Sequence, residues 1–117
     1  VGMGFFEAGN FYPDYILWID TDDKQYISFI DPKGLMHIMP DDPKIKFYEK
    51  IKDLEVRLAP SAGDKHIILN SFIMSSTRGA NLREWWRMKS PSEHEAKNVY
   101  TLDDAKCIEK MFQKIFL

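Results

Sequence analysis

The sequence predicts one α/β domain over residues 1–117, a mixed sheet flanked by helices in the order βββαβα. Three observations predict it. Residues 15–19 and 26–30 are short runs rich in aromatic and β-branched side chains, which is strand composition. Thr21-Asp22-Asp23-Lys24 between them is too polar to bury and short enough for a hairpin loop. Both faces of that hairpin are apolar: Ile16, Trp18, Ile27 and Phe29 on one, Tyr15, Leu17, Ile19, Tyr26 and Ile30 on the other. A sheet with two apolar faces needs helices on both sides.

Taken in order, residues 2–7 are apolar enough for a first strand, with Ala8-Gly9-Asn10 as the turn into the hairpin. The first helix is marked by Asp42 as N-cap and Pro43 at the first helical position. Ile45, Tyr48, Ile51, Leu54 and Leu58 recur at helical spacing until Pro60 ends the run, and Lys46, Glu49, Lys50 and Asp53 form the polar face. Residues 61–65 read as a loop. Residues 66–74 are almost continuously apolar, broken by one Asn-Ser pair, and read as a buried strand. Residues 75–79 leave that strand, 81–88 read as a short helix, 90–98 as a polar stretch with a helical turn, and 99–102 as an edge strand. Asp103 is expected to cap a last helix whose apolar stripe is Ile108, Phe112, Ile115 and Phe116.

Composition narrows the classes of function. Hydrophobic residues at 44% and aromatics at 14% exclude a disordered chain. No apolar run has the length of a membrane span, and no signal peptide is visible, so a cytoplasmic protein is expected. The start at Val1 suggests a fragment of a longer chain. Cys107, the single cysteine, excludes an internal disulfide framework and a cysteine-rich zinc site. Sixteen basic against eighteen acidic residues, net −2, argue against a free-standing nucleic-acid binder, although a domain delivered by a larger partner need not be basic.

The chemistry concentrates at one end of the hairpin. Centred between Asp22 and Asp23, the hairpin sets Asp14 opposite Asp31, and Lys33 shares their face because side chains alternate along a strand. Like charges directly opposed destabilise a strand pair. At about 5 Å and an effective dielectric near 20 the repulsion is roughly 3 kcal/mol. A divalent cation would offset it, and magnesium suits the donors because it binds through one or two carboxylates and completes its shell with water and phosphate oxygens.

Pro13-Asp14 followed by Asp31-Pro32-Lys33 resembles the signature of the PD-(D/E)XK nucleases. The wider wording, Asn10-Phe11-Tyr12-Pro13-Asp14-Tyr15-Ile16-Leu17-Trp18-Ile19 and Phe29-Ile30-Asp31-Pro32-Lys33-Gly34, resembles the C-terminal nuclease domain of type III restriction enzyme Res subunits and related helicase-linked nucleases. The likeness continues more loosely through Ser75-Ser76-Thr77 to the last helix. It implies a restriction-endonuclease-like core whose opening helix, which often carries a further acidic residue, is absent here. Glu7 is a nearby acid, but no spacing assigns it that part. The resemblance further implies a Mg2+ or Mn2+ cofactor held by Asp14, Asp31 and the backbone carbonyl of Pro32, with Lys33 acting on the attacking water. It implies DNA as substrate, an upstream ATP-driven helicase or translocase domain in the same chain, and a modification methyltransferase as partner.

Other residues have both a functional and a plainer reading. Lys44 and Lys46, at the start of the first helix, suit phosphate contact or a solvated face. Ser76, Thr77 and Arg78 suit backbone phosphates or a polar strand-to-helix turn, and they lack the lysine and spacing of a P-loop. Trp85 and Trp86, with Arg83, Arg87 and Lys89, suit base stacking or packing. His37, Asp41 and Asp42 fit a loop and a helix cap better than a second metal. Cys107 has no triad spacing with His66 or His94. The rival from another class is a non-catalytic docking domain that keeps the fold and presents the two tryptophans and nearby arginines.

Overall fold

The computed structural model describes residues 14–58 and 66–116. Strands β1 (Tyr15–Asp20) and β2 (Lys24–Lys33) form the hairpin, followed by helix α1 (Pro43–Leu58) and strand β3 (His66–Ser75). Helices α2 (Gly79–Trp85) and α3 (Pro91–Glu95), strand β4 (Val99–Thr101) and helix α4 (Cys107–Ile115) complete the chain. The expected first strand at 2–7, Glu7, Pro13, the stop at Pro60 and the loop at 61–65 lie outside the described residues.

The result is α/β, with a four-stranded mixed sheet in the order β1-β2-β3-β4. β1 pairs β2 antiparallel from Tyr15↔Ile30 to Asp20↔Gln25, the register expected for a hairpin centred between Asp22 and Asp23. The loop is closed by Thr21, whose amide donates to the Lys24 carbonyl at 2.8 Å and whose hydroxyl accepts from the Lys24 amide at 3.1 Å. β2 pairs β3 parallel from Lys24↔His66 to Lys33↔Ser75, and β3 pairs β4 parallel through Ile73, Met74 and Ser75.

Each face of the sheet has its own helical cover over β2, β3 and β4, whereas Tyr15, Ile16 and Trp18 of β1 are exposed. On one side Ile27, Phe29 and Leu69 pack with Phe47 and Ile51 of α1. That layer continues as Leu35, Ile45, Ile73, Leu82, Trp86 and Val99. On the other side Tyr26, Phe72, Met74 and Tyr100 pack with Cys107, Met111 and Ile115 of α4. Burial pushes the Tyr100 phenol up to about 12.

Three expectations are corrected. The α1 stripe includes Phe47, which is buried, whereas Tyr48 is only half-buried and donates its hydroxyl to Glu49 at 2.9 Å. Asp103 does not cap α4: its carboxylate accepts from the Gly79 amide at 3.1 and 3.3 Å, at the start of α2. Asp104 instead sets the turn into α4, accepting from the Lys106 amide at 2.9 Å. Helix α4 then buries Cys107, Met111 and Ile115, leaving Ile108, Phe112 and Phe116 exposed. One residue is about 100° of helix, so the buried stripe is rotated from the expected one by one position. Lys110 ties α4 down through Asp104 at 2.6 Å and Glu95 of α3 at 2.9 Å.

Candidate active site at the ends of the central strands

β2 and β3 run parallel and end together at Lys33↔Ser75. The carboxyl ends of parallel strands are where open α/β sheets build their sites, because the chain leaves there in loops. Asp31 lies on β2, 8% exposed, on the Ile27–Phe29 face, and the Lys33 ammonium sits 2.5 Å from its carboxylate. Among the described residues the β1–β2 ladder ends at Tyr15↔Ile30, and Asp14 and Asp31 are the next residues outward on the two strands. Asp14 is exposed, at the bend that enters β1.

Pro32 is tolerated inside β2 for a reason the ladder supplies. The Lys33 carbonyl accepts from the Ser76 amide at 3.0 Å, so it faces β3. Backbone groups alternate sides along a strand, which turns the Pro32 nitrogen and carbonyl toward the β1 side. Among the described residues the β1 pairing does not extend past Tyr15↔Ile30, so there the missing N–H forfeits no ladder bond. The Pro32 carbonyl is thus directed to the side on which Asp14 lies.

The loops beyond the strands are pinned by hydroxyls. Thr77 Oγ1 accepts from the Leu35 amide at 2.8 Å, joining the loop after β2 to the loop after β3. Ser75 Oγ donates to the Thr77 carbonyl at 2.9 Å. Thr77 is therefore a structural clamp first, whereas Ser76 and Arg78 are exposed. The amide that opens α2 is already taken by Asp103, so this helix start does not present itself to a phosphate. A side chain at Gly34 would meet Ser76 Oγ at an ordinary 3.4 Å, so no close approach there demands glycine.

Two adjoining cavities open at this end. One, of about 480 Å3, is lined by Gly34, Ser76 and Arg78 among others. The other, of about 500 Å3, runs beside α2 to Trp85. Met36, Thr77 and Asn81 line both, making a continuous cleft. The two tryptophans part company here. Trp86 is buried and donates its indole N–H to the Ile38 carbonyl at 2.7 Å, while Trp85 is 49% exposed with the His37 ring 6.0 Å away, nearly perpendicular. His37 (φ 70°) and Arg87 (φ 57°), both lining the second cavity, hold left-handed backbone, which costs about 1–2 kcal/mol each for a residue with a Cβ.

Asp42 caps α1 as expected, accepting from the Lys44 amide at 2.8 Å, and Lys44 and Lys46 are exposed on the first turn. Among the described residues no three His, Cys, Asp or Glu side chains are grouped to hold a metal ion. Asp14 and Asp31 carry carboxylates at this end of the hairpin, and the Asp31 carboxylate is ion-paired with Lys33. Two carboxylates and a backbone carbonyl are the oxygen-donor types that magnesium takes, with waters completing its shell.

Sequence reasoning missed His94. It is fully buried, one ring nitrogen 2.8 Å from the Val99 carbonyl and the other 3.2 Å from Arg83 Nη1. The carbonyl can only accept, so the ring donates to Val99 from Nδ1 and receives Arg83 at Nε2. This histidine pins α2, α3 and β4 together. The available signal was Ser90-Pro91-Ser92-Glu93, a capping-box pattern that fixes α3. Glu93 accepts from the Ser90 amide at 3.1 Å and from the Lys89 amide, and these bonds hold its carboxyl below the usual range. Among the described residues no helix is long and apolar enough to cross a membrane. Comparison with family models, with curated proteins and with solved structures gives no match to this chain.

Proposed function

We propose that this chain is a magnesium-dependent DNA endonuclease domain of the PD-(D/E)XK type, the cleavage module of a type III restriction enzyme. One observation carries the reading. A nearly buried Asp31 is paired with Lys33 on one face at the end of β2, and Asp14 directly precedes Tyr15, whose register partner is Ile30. A hairpin followed by a crossover helix and a parallel strand also suits a restriction-endonuclease-like core.

In this reading Asp14, Asp31 and the Pro32 carbonyl would hold the ion, which when bound supplies Lewis-acid polarisation of the scissile phosphate and a more acidic water. Lys33 neutralises Asp31, orients the attacking water and offsets negative charge as it builds on the phosphate. Exposed Ser76 and Arg78, with Lys44 and Lys46, would contact the DNA backbone, and Thr77 acts through the loop it clamps. The ATP-driven motor and the methyltransferase partner rest on the sequence resemblance.

Titration calorimetry with Mg2+ and Mn2+ tests the reading. The folded wild type is expected to bind, and both Asp14→Ala and Asp31→Ala to lose binding. A folded wild type that binds neither ion overturns it and leaves a non-catalytic docking domain. Lys33→Ala is expected to keep metal binding and to lower DNA cleavage, in the full-length enzyme, about a hundredfold or more. Equal cleavage rates for Lys33→Ala and wild type would remove Lys33 from the chemistry.

A further inference from the structure

We propose that the cavity between α2 and the loop after β2 is a nucleobase subsite, taking an unstacked base of the strand whose phosphate lies against Ser76 and Arg78. This rests on the nuclease reading and deepens it, because it assigns what the site does beside the phosphate.

Five features point to a base. The cavity, about 500 Å3, falls within the range that holds small ligands, and it adjoins the Ser76–Arg78 cleft through shared walls. A base and its own phosphate would therefore occupy neighbouring spaces. Trp85 supplies a half-exposed indole at the wall, whereas the adjacent Trp86 is spent on the core and on the Ile38 carbonyl. An exposed tryptophan beside a buried one leaves one ring free to stack, and every base has a π-face to offer it. The cavity's apolar surface comes from exposed Met36, backed by Leu35 and Leu82, both fully buried. The rim carries the Asn81 amide and the Glu84 carboxylate, both exposed, which complement the exocyclic amino groups of adenine and cytosine. Left-handed backbone at His37 and Arg87, on the same wall, is the kind of local strain found at ligand clamps.

A short fluorescein-labelled oligodeoxyadenylate, titrated with excess EDTA while its anisotropy (and, in the wild type, indole fluorescence) is followed, tests the subsite without metal. Binding with quenching is expected, weakened roughly ten- to a hundredfold by Trp85→Ala and restored by Trp85→Phe. Trp18→Phe should bind as the wild type does. An abasic sugar-phosphate oligomer of the same length should bind more weakly. No binding, equal binding of the abasic oligomer, or unchanged binding by a folded Trp85→Ala would each overturn the proposal. Magnesium binding by the same wild-type sample is read separately, so failure of the base subsite is distinguishable from failure of the metal site.

Discussion

A carboxylate accepts a helix-opening amide more strongly ionised than protonated, and Asp103 is such a group. The Gly79 amide keeps its carboxyl below the ordinary range. The folded-state pKa is lowered, so the stability Asp103 lends is complete above the unfolded-state value and is lost as pH falls through the folded one. Asp103→Ala is expected to cost about 1 kcal/mol at neutral pH, as loss of a capping acceptor does, and less in acid. Urea denaturation at the two pH values measures it. Ser28 gives the opposite case. Its hydroxyl is buried on β2 with no hydrogen-bond partner among the described residues, so Ser28→Ala should leave stability unchanged or raise it in the same assay. At this scale local patterns were legible and long-range ones were not. Asp42 and Pro43 announce α1 because a cap and its helix are neighbours in sequence. Asp103 was assigned to the helix that follows it, since nothing local shows that its amide partner lies at Gly79.

Among the elements, α1 is the cover that holds the site-bearing face of the sheet. Phe47→Ala removes a buried ring from the layer beneath Ile27 and Phe29 and should cost about 3–5 kcal/mol. Val56→Ala, on the exposed side, should stay within about 0.5 kcal/mol. Thermal or urea unfolding of the two variants checks the contrast. The same test on α4 separates its two stripes: Met111→Ala should cost about 2–5 kcal/mol, and Ile108→Ala far less. The α4 stripe was misread because the helix is apolar on two adjoining sides, and periodicity alone does not choose between them. The choice follows from the turn at Asp104, which delays the helix start to Cys107 and faces Cys107, Met111 and Ile115 to Tyr100. The hairpin, by contrast, was legible to the residue, because a two-strand unit with a short polar loop admits few registers.

Over the whole molecule, the sheet is assembled from one local pairing and two distant ones. Every β2–β3 partner is separated by 42 positions, as Lys24↔His66 and Lys33↔Ser75 show. The cleft beyond the strand ends was only partly legible for the same reason. Asp31 and Lys33 come from one strand and could be placed together, but the Thr77–Leu35 clamp and the joined cavities require β2 and β3 to be side by side first. Closing a loop of that length costs about 3 kcal/mol of chain entropy before any parallel contact returns it, whereas the hairpin closes almost at once. The parallel arrangement thus has a kinetic signature. The β1–β2 unit should gain protection from hydrogen exchange early in refolding, and the clamp at Leu35 should be protected only with the final, slower phase, whose rate is set by how quickly α1 delivers the second half of the chain.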